Sequence, residues 1–350
     1  MLQYAVQMKV ARLYSFNDIR IEEMPVPEVG PRDALMKTRA CGICSGDVMP
    51  WYIEKKAPLV LGHEPAGEIV RVGEEVTSFR TGNRVFAHHH APCFSCRYCT
   101  RGDYVQCPAW RASGIIPGGM AEYILIPSVN LDHDTFTLPE EMSYEDATLI
   151  EPVACVVKGL RRARPRRGDT VLVIGLGVMG MLNILVARNN GAGRIIGADR
   201  VRYRLDKALA LGADEVIDVS ATDLQKGLAE KTGNEMAELV IVGPNSVSAM
   251  AEGLRCVRPG GTVLFFTPAR PGEVLTVDPN HLYFNDISIV TSYSCGPADT
   301  ADAAELIRKR VVSADRIVTH RFPLEGVAEA FRLTSRAGES LKSLIVFGEP

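Results

Sequence analysis

Two groups of residues have the types and spacing for metal chemistry. The run CFSCRYCTRGDYVQC carries Cys93, Cys96, Cys99 and Cys107, with two, two and seven residues between them. Four thiolates in so short a stretch suit a closed tetrahedral zinc site. Such a site leaves no position for substrate, so this metal is expected to be structural, holding a loop too small for a core of its own. An iron–sulfur cluster, which also uses four thiolates, is the main rival. The second group is dispersed: CGIC supplies Cys41 and Cys44, GHEPAG supplies His63 and Glu64, and IEPVACV supplies Glu151. A CxxC pair alone fits a redox couple, half a zinc site or neither. Thiol, imidazole and carboxylate together are the ligand types of a catalytic zinc that keeps one position for water or substrate.

A third motif carries phosphate chemistry. VLVIGLGVMG places Gly175, Gly177 and Gly180 in a G-x-G-x-x-G pattern after an apolar strand and at the start of a helical segment. The first glycine allows the tight turn, the second lets backbone approach a pyrophosphate, and the third lets helix and strand pack closely. The intervening Leu176, Val178 and Met179 belong to the same turn and helix start, where free N–H groups and a partial positive charge favour phosphate. Asp199 ends the next apolar run, nineteen residues after Gly180. A carboxylate there accepts from both ribose hydroxyls and repels a 2'-phosphate, which favours NAD over NADP. Arg200, Arg202 and Arg204 argue the other way, as groups able to hold a phosphate.

These residues need a scaffold that brings distant segments together. A chain of 350 residues suggests two domains. Up to about residue 150, short β-type runs such as GEIVRVG and AEYILIP alternate with glycine and proline turns. SYEDATLIEPVACVVKGLRRA then reads as one helical segment with Ser143 as its cap. After Gly168, strands such as TVLVIG, RIIGADR and ELVIVGP alternate with helical segments, which implies a parallel sheet covered on both faces. The tail, ending in SLKSLIVFG, reads as mixed and is able to return to the first region.

Composition narrows the function. Apolar residues make up 46% and charged residues 23%, and the net charge is -3. No basic surplus exists to neutralise nucleic-acid phosphates. The basic run Arg161 to Arg167 lacks interleaved aromatics and reads as a solvated helix end. No apolar run reaches the roughly twenty residues needed to span a bilayer, and the first residues lack the form of a signal peptide. Nine cysteines without a secretion signal suggest a reducing compartment, the cytoplasm.

CGIC with Asp47, GHEPAGEIVRVG, the four-cysteine lobe, GGMAEYI, EPVACV, VLVIGLGVMG and RPGG together resemble the zinc-dependent medium-chain alcohol dehydrogenases, most closely their polyol (sorbitol-type) branch. The resemblance covers nearly the whole chain. It implies an α/β protein with a GroES-like β-rich catalytic domain over 1–154 and 297–350. A Rossmann NAD-binding domain, with its doubly wound parallel sheet, would occupy 155–296, and the active site would lie between the two. Carried over, it makes Cys41 and His63 ligands of a catalytic zinc, with Glu64 and Glu151 competing for the third place and Cys44 a buried bystander. It places the structural zinc on Cys93, Cys96, Cys99 and Cys107. Backbone groups near Thr267 and Ser292 are expected to contact the nicotinamide half, and Arg204 the adenosine half.

The expected reaction is hydride transfer between a secondary alcohol (a polyol, sugar alcohol or cyclitol) and NAD. An amino-alcohol substrate such as threonine is the first alternative, and a non-catalytic zinc-binding regulatory protein the second. Many relatives read glycine then a hydroxyl residue where this chain has Ser45 and Gly46. The usual proton exit is therefore lost, and water held by Glu151 or Glu64 is expected to replace it. Trp51, Tyr52, His89 and Trp110 are expected to line a substrate pocket. His88 and His90 are read as packed or surface residues, because alternating strand faces keep three consecutive histidines off one ion. A small-molecule alcohol or ketone is the only expected partner besides copies of the chain, with a homotetramer favoured over a dimer.

Overall fold

The computed structural model describes residues 6–336 and 338–348. The chain divides into two units. One runs to Ala154 and resumes at Cys295, and the other runs from Cys155 to Ser294.

The first unit is β-rich. Its larger sheet runs Val318–Phe322, Lys342–Val346, Ala34–Gly42, Glu64–Val72, Arg84–Ala87 and Thr135–Thr137, with Tyr123–Ile126 also pairing Ala34–Gly42. Pairing is antiparallel except between the first two strands. The last strand of the chain is thus stitched beside Ala34–Gly42, with Leu344 opposite Gly42 and Ile345 opposite Cys41. A second sheet centres on Gln7–Ser15, where Met8 and Val10 are buried in one apolar cluster and Ala11 and Leu13 in another, while Gln7 and Lys9 are exposed. The strand thus alternates at its start and then buries residues of both faces. Two apolar clusters fill the body of this unit, apart from the small one of the cysteine lobe. One gathers Val10, Met36, Ile69, Val85 and Ile124, and the other Leu13, Cys41, Ile43, Leu61, Met120 and Phe331.

The second unit is a six-stranded parallel sheet in the order Glu215–Asp218, Arg194–Asp199, Thr170–Ile174, Ala237–Val242, Val257–Phe265, Ser288–Thr291. Numbered along this unit the order is 3-2-1-4-5-6, the dinucleotide-binding arrangement with its switch point beside the first strand. The central strands TVLVI and AELVIV are nearly continuous apolar runs because helices cover both their faces.

The expected single helix after Ser143 is two. Tyr144–Ala147 starts at Ser143, whose hydroxyl accepts from the Asp146 N–H at 2.9 Å, with the Asp146 carboxylate reaching back. A turn at Thr148 and Leu149 intervenes before Ile150–Ala163. No helix among the described residues is long and apolar enough to cross a membrane.

The glycine turn shows why its residues are glycine. Gly175 has φ +85, a conformation L side chains rarely adopt. A Cβ at Gly180 would overlap the Gly175 carbonyl oxygen and stand 3.1 Å from its carbon. Gly180→Ala should therefore push the helix Val178–Asn189 off the sheet and cost roughly 1–3 kcal/mol, read as a lower urea midpoint without a change of slope.

Candidate metal centre and cofactor turn

The strand Ala34–Gly42 decides which cysteine of CGIC faces which way. Cys41 and Ile43 both point into the apolar cluster with Leu13, Leu61 and Met120. The Cys41 sulfur is so enclosed that a Cβ at either Gly62 or Gly119 would lie 2.8 Å from it. Burial pushes this thiol up to about 12. Gly42 takes the other face, where a Cβ would overlap the Glu64 carboxylate and come within 2.9 Å of Lys342 Cε. Ligand atoms of Cys44, His63 and Glu64 all lie within 4.8 Å of one another. The structure groups Cys44, expected as the bystander, with His63 and Glu64, while Cys41, expected as the ligand, packs in the apolar cluster; Cys44 comes after the strand has ended at Gly42, where the chain is free to turn it toward His63.

Each member of the cluster is oriented by a neighbour. Asp47 Oδ2 sits 3.2 Å from His63 Nδ1. Burial opposes charge on Asp47, but the His63 ring outweighs it and holds the carboxyl below its usual range. Burial likewise opposes charge on His63, and Asp47 and Cys44 overcome it and raise the imidazole well above its usual value. The Gly46 N–H donates to the Cys44 sulfur at 3.3 Å. The residue that lacks the family's hydroxyl therefore supports the thiol through its backbone. A Cβ there would meet that sulfur at 3.4 Å.

Glu64 is held from behind. Lys342 forms an ion pair with Glu64 Oε2 and donates to the Ile43 carbonyl at 3.0 Å, and both side chains are buried. Burial works against a charged Lys342, and the Glu64 carboxylate more than offsets it. The other carboxylate oxygen, Glu64 Oε1, is buried without a partner. Lys342 was missed from sequence, although a lysine inside the apolar strand KSLIV was a signal: a buried lysine needs a buried acid.

Glu151 opens the helix Ile150–Ala163 and gathers with two histidines rather than with Cys44. Ligand atoms of His88, His89 and Glu151 lie within 4.8 Å of one another. The argument from alternating faces does not reach these histidines, because the strand ends at Ala87. His88 is packed: its Nδ1 meets Asp134 Oδ2 at 2.8 Å and its Nε2 meets the Cys295 sulfur at 3.5 Å. Thr300 donates to the other Asp134 oxygen at 2.6 Å. His90 Nδ1 is 2.7 Å from the Ser113 carbonyl oxygen. The two histidine groups adjoin, since the His63 and His89 rings stand 4.8 Å apart. Trp110, expected beside substrate, is instead buried in the lobe with Cys99, Val105 and Cys107.

In that lobe all four sulfurs converge within 4.8 Å. Cys96 and Cys99 sulfurs are 3.5 Å apart, and those of Cys93 and Cys107 3.6 Å. A tetrahedron with metal–sulfur bonds of about 2.3 Å has edges of about 3.8 Å, so the set fits a zinc ion. Hydrogen bonds from the Ser95 hydroxyl and backbone pull the Cys93 thiol down to about 6.

In the second unit the Asp199 carboxylate accepts from the backbone N–H of Leu176 at 2.7 Å, Arg200 at 2.7 Å and Val201 at 3.0 Å. It therefore shapes the glycine turn as well as standing at its mouth. Arg204 Nη1 is 4.0 Å from Asp199 Oδ2, and its buried Nε has no partner. Arg202 is engaged by Asp206. Thr267 follows the strand Val257–Phe265 and donates to the Gly243 carbonyl at 2.5 Å, while the Ser292 hydroxyl, just past Ser288–Thr291, is buried without a partner. Both lie beyond carboxyl ends of strands, where such sheets bind ligands.

Comparison with known proteins agrees with this architecture. Residues 30–134 match the alcohol dehydrogenase GroES-like domain, and residues 178–309 match the zinc-binding dehydrogenase domain. The chain is 31% identical over 348 residues to a sorbitol dehydrogenase of Bombyx mori, covering 96% of this chain and 97% of that one. It is 33% identical over 341 residues to an L-threonine 3-dehydrogenase of Symbiobacterium thermophilum, covering 93% of each. A zinc-binding dehydrogenase from Sinorhizobium meliloti, solved bound to NADP, superposes with a TM-score of 0.88 at 27% identity, over 98% of this chain and 100% of that one. With both domain types matched in order along a chain whose glycine turn and three donor clusters have just been described, the protein belongs to the zinc-dependent medium-chain alcohol dehydrogenases, among their polyol-dehydrogenase-like members.

Proposed function

We propose that the protein oxidises a secondary alcohol of the polyol class with NAD, using one zinc at the Cys44–His63 cluster and a second in the four-cysteine lobe. The observation that carries this reading is the convergence of a thiol, an imidazole and a carboxylate within 4.8 Å. The orphaned Glu64 Oε1 beside them favours a cation, because a buried carboxylate oxygen without a donor is costly. When bound there, zinc supplies the Lewis acidity that lowers an alcohol's pKa. NAD supplies the hydride acceptor.

The chain's own residues do the rest. Asp47 fixes the His63 ring, Gly46 supports the Cys44 sulfur, and Lys342 balances the charge of Glu64. Glu151 and Glu64 are the groups proposed to hold the water that carries the alcohol proton away, since Gly46 has no hydroxyl. On the cofactor side, Gly175 to Gly180 would cradle the pyrophosphate, Asp199 and Arg204 the adenosine ribose, and Thr267 and Ser292 the nicotinamide half. The Asp199 carboxylate at the turn favours NAD over NADP.

Copies of the chain are the proposed protein partner. The strand Ser288–Thr291 is paired on one side alone, and Tyr283, Phe284 and Ile289 nearby are exposed. That edge supports a homo-oligomer, either a dimer or a tetramer. No disulfide forms among the described residues, which include all nine cysteines, and this supports a reducing, cytoplasmic location.

Metal analysis separates the two cysteines of CGIC. Cys44→Ser should lose one of two bound zinc equivalents, while Cys41→Ala should keep both and lose about 1 kcal/mol of stability. Lys342→Met should cost about 3–5 kcal/mol by stranding the buried Glu64 charge, and adding Glu64→Leu should recover most of it. A screen of secondary alcohols and polyols, followed by NADH absorbance, should show turnover with NAD. The Ser45→Ala variant should keep the same pH–rate profile. Turnover of threonine in preference to every polyol would instead assign the amino-alcohol reading, which the Symbiobacterium relative supports.

A further inference from the structure

The short helix Pro50–Ile53 follows closely on Asp47, the carboxylate that orients His63. Its inner side is fixed. Ile53 is buried with Cys41 and Ile43, and its N–H donates to the Met49 carbonyl at 3.1 Å. The helix and the turn after it also carry two half-buried rings, Trp51 and Tyr52, and two exposed lysines, Lys55 and Lys56. Lys56 Nζ stands 4.0 Å from the Tyr52 ring centroid and Lys55 Nζ 5.0 Å from the same centroid. Lys55 Nζ is also 5.7 Å from the Trp51 ring.

One lysine over one ring is an ordinary surface contact, as between Lys207 and Tyr203. Two ammoniums on one ring are different, because they repel each other. Elsewhere the chain balances its lysines: Lys9, Lys231, Lys309 and Lys342 each meet a carboxylate. Lys55 and Lys56 meet none among the described residues. An acid stands beside them in sequence, but Glu54 is turned away, its Oε1 accepting from the Phe16 N–H at 3.0 Å. Trp51 adds an unused donor. Its Nε1 is buried without a partner, although a buried indole N–H ordinarily finds one. The positive charge also reaches the donor centre. At Asp47, burial opposes the charged form and His63 favours it, and Lys56 adds to His63 in holding the carboxyl low.

We propose that this segment binds an anionic group of the substrate, so that the alcohol oxidised carries a phosphate or a carboxylate. Lys55 and Lys56 supply the charge, and the Trp51 N–H a hydrogen bond. The inference rests on the reading of the Cys44–His63 centre as the place of alcohol oxidation, and it narrows the polyol class to its charged members, polyol phosphates and sugar acids. Such a substrate approaches a centre rich in carboxylates, with Asp47 and Glu64 beside His63. Cations held just outside that centre offset the repulsion and fix the end of the substrate that does not react.

Sorbitol, gluconate and sorbitol phosphate share one carbon-chain length and differ in charge, so they serve as probes. Tryptophan emission of the full-length protein reads their binding, since the chain has two tryptophans and Trp110 is buried in the lobe. Trp51→Phe should remove most of the change. An anionic probe should bind about tenfold or more tightly than sorbitol, and added salt should shrink that advantage. Lys55→Met with Lys56→Met should abolish the advantage, and Lys55→Arg with Lys56→Arg should keep most of it. A greater gain for sorbitol phosphate assigns a phosphate, and a greater gain for gluconate a carboxylate. NADH formation measured in parallel separates the two readings. If neither anionic probe binds or is oxidised better than sorbitol, the anion site falls, while turnover of sorbitol would leave the centre's reading standing. If the anionic probes bind through the lysines and none of the three yields NADH, the oxidation reading falls and the anion site remains.

Discussion

The buried ion pair between Lys342 and Glu64 joins residues 278 apart in sequence. It works because the last strand of the chain lies beside Ala34–Gly42, so that Lys342 reaches across Gly42 to the acid. Both charges are out of water, and each is tolerable only because the other is present. The consequences run outward. Gly42 must lack a side chain, Glu64 is fixed in place, and the faces of the strand are sorted into a core side and a polar side. The C-terminal segment is therefore part of the candidate centre and more than a closing strand.

Much of this was legible in the residues, and the reasons differ from case to case. The four lobe cysteines are close in sequence, so spacing alone implied a common centre. The glycine turn carries its requirements locally, in a strand, a tight turn and a helix start, and Gly175 and Gly180 meet them. The choice between Cys41 and Cys44 was not local. It depends on Cys41 facing Leu61 and Met120 from within the strand and on the turn the chain takes after the strand ends at Gly42, which brings Cys44 to His63. Sequence gave both cysteines the same types of neighbour, and the fold distinguishes them.

Other misreadings share that cause. Trp110 lies near the metal-site segments in sequence but serves the lobe's small core. The alternating-face reading of the three consecutive histidines fails because the strand ends one residue before them, at Ala87. His88 thereby reaches Asp134 and Cys295, residues separated from it by 46 and 207 positions. Long-range polar networks of this kind leave little periodic trace. They do leave a compositional one, since an acid or lysine inside an otherwise apolar run signals a buried partner.

The opposed directions of Cys41 and Cys44 also bear on redox chemistry. A C-x-x-C pair usually invites closure into a cystine under oxidising stress. Here the Cys41 sulfur is packed against Gly62 and Gly119 in the apolar cluster, while that of Cys44 lies with His63 and Glu64, so a cystine would draw Cys44 out of that group. The motif that looks most like a thiol–disulfide switch divides its two sulfurs between an apolar core and a polar donor group.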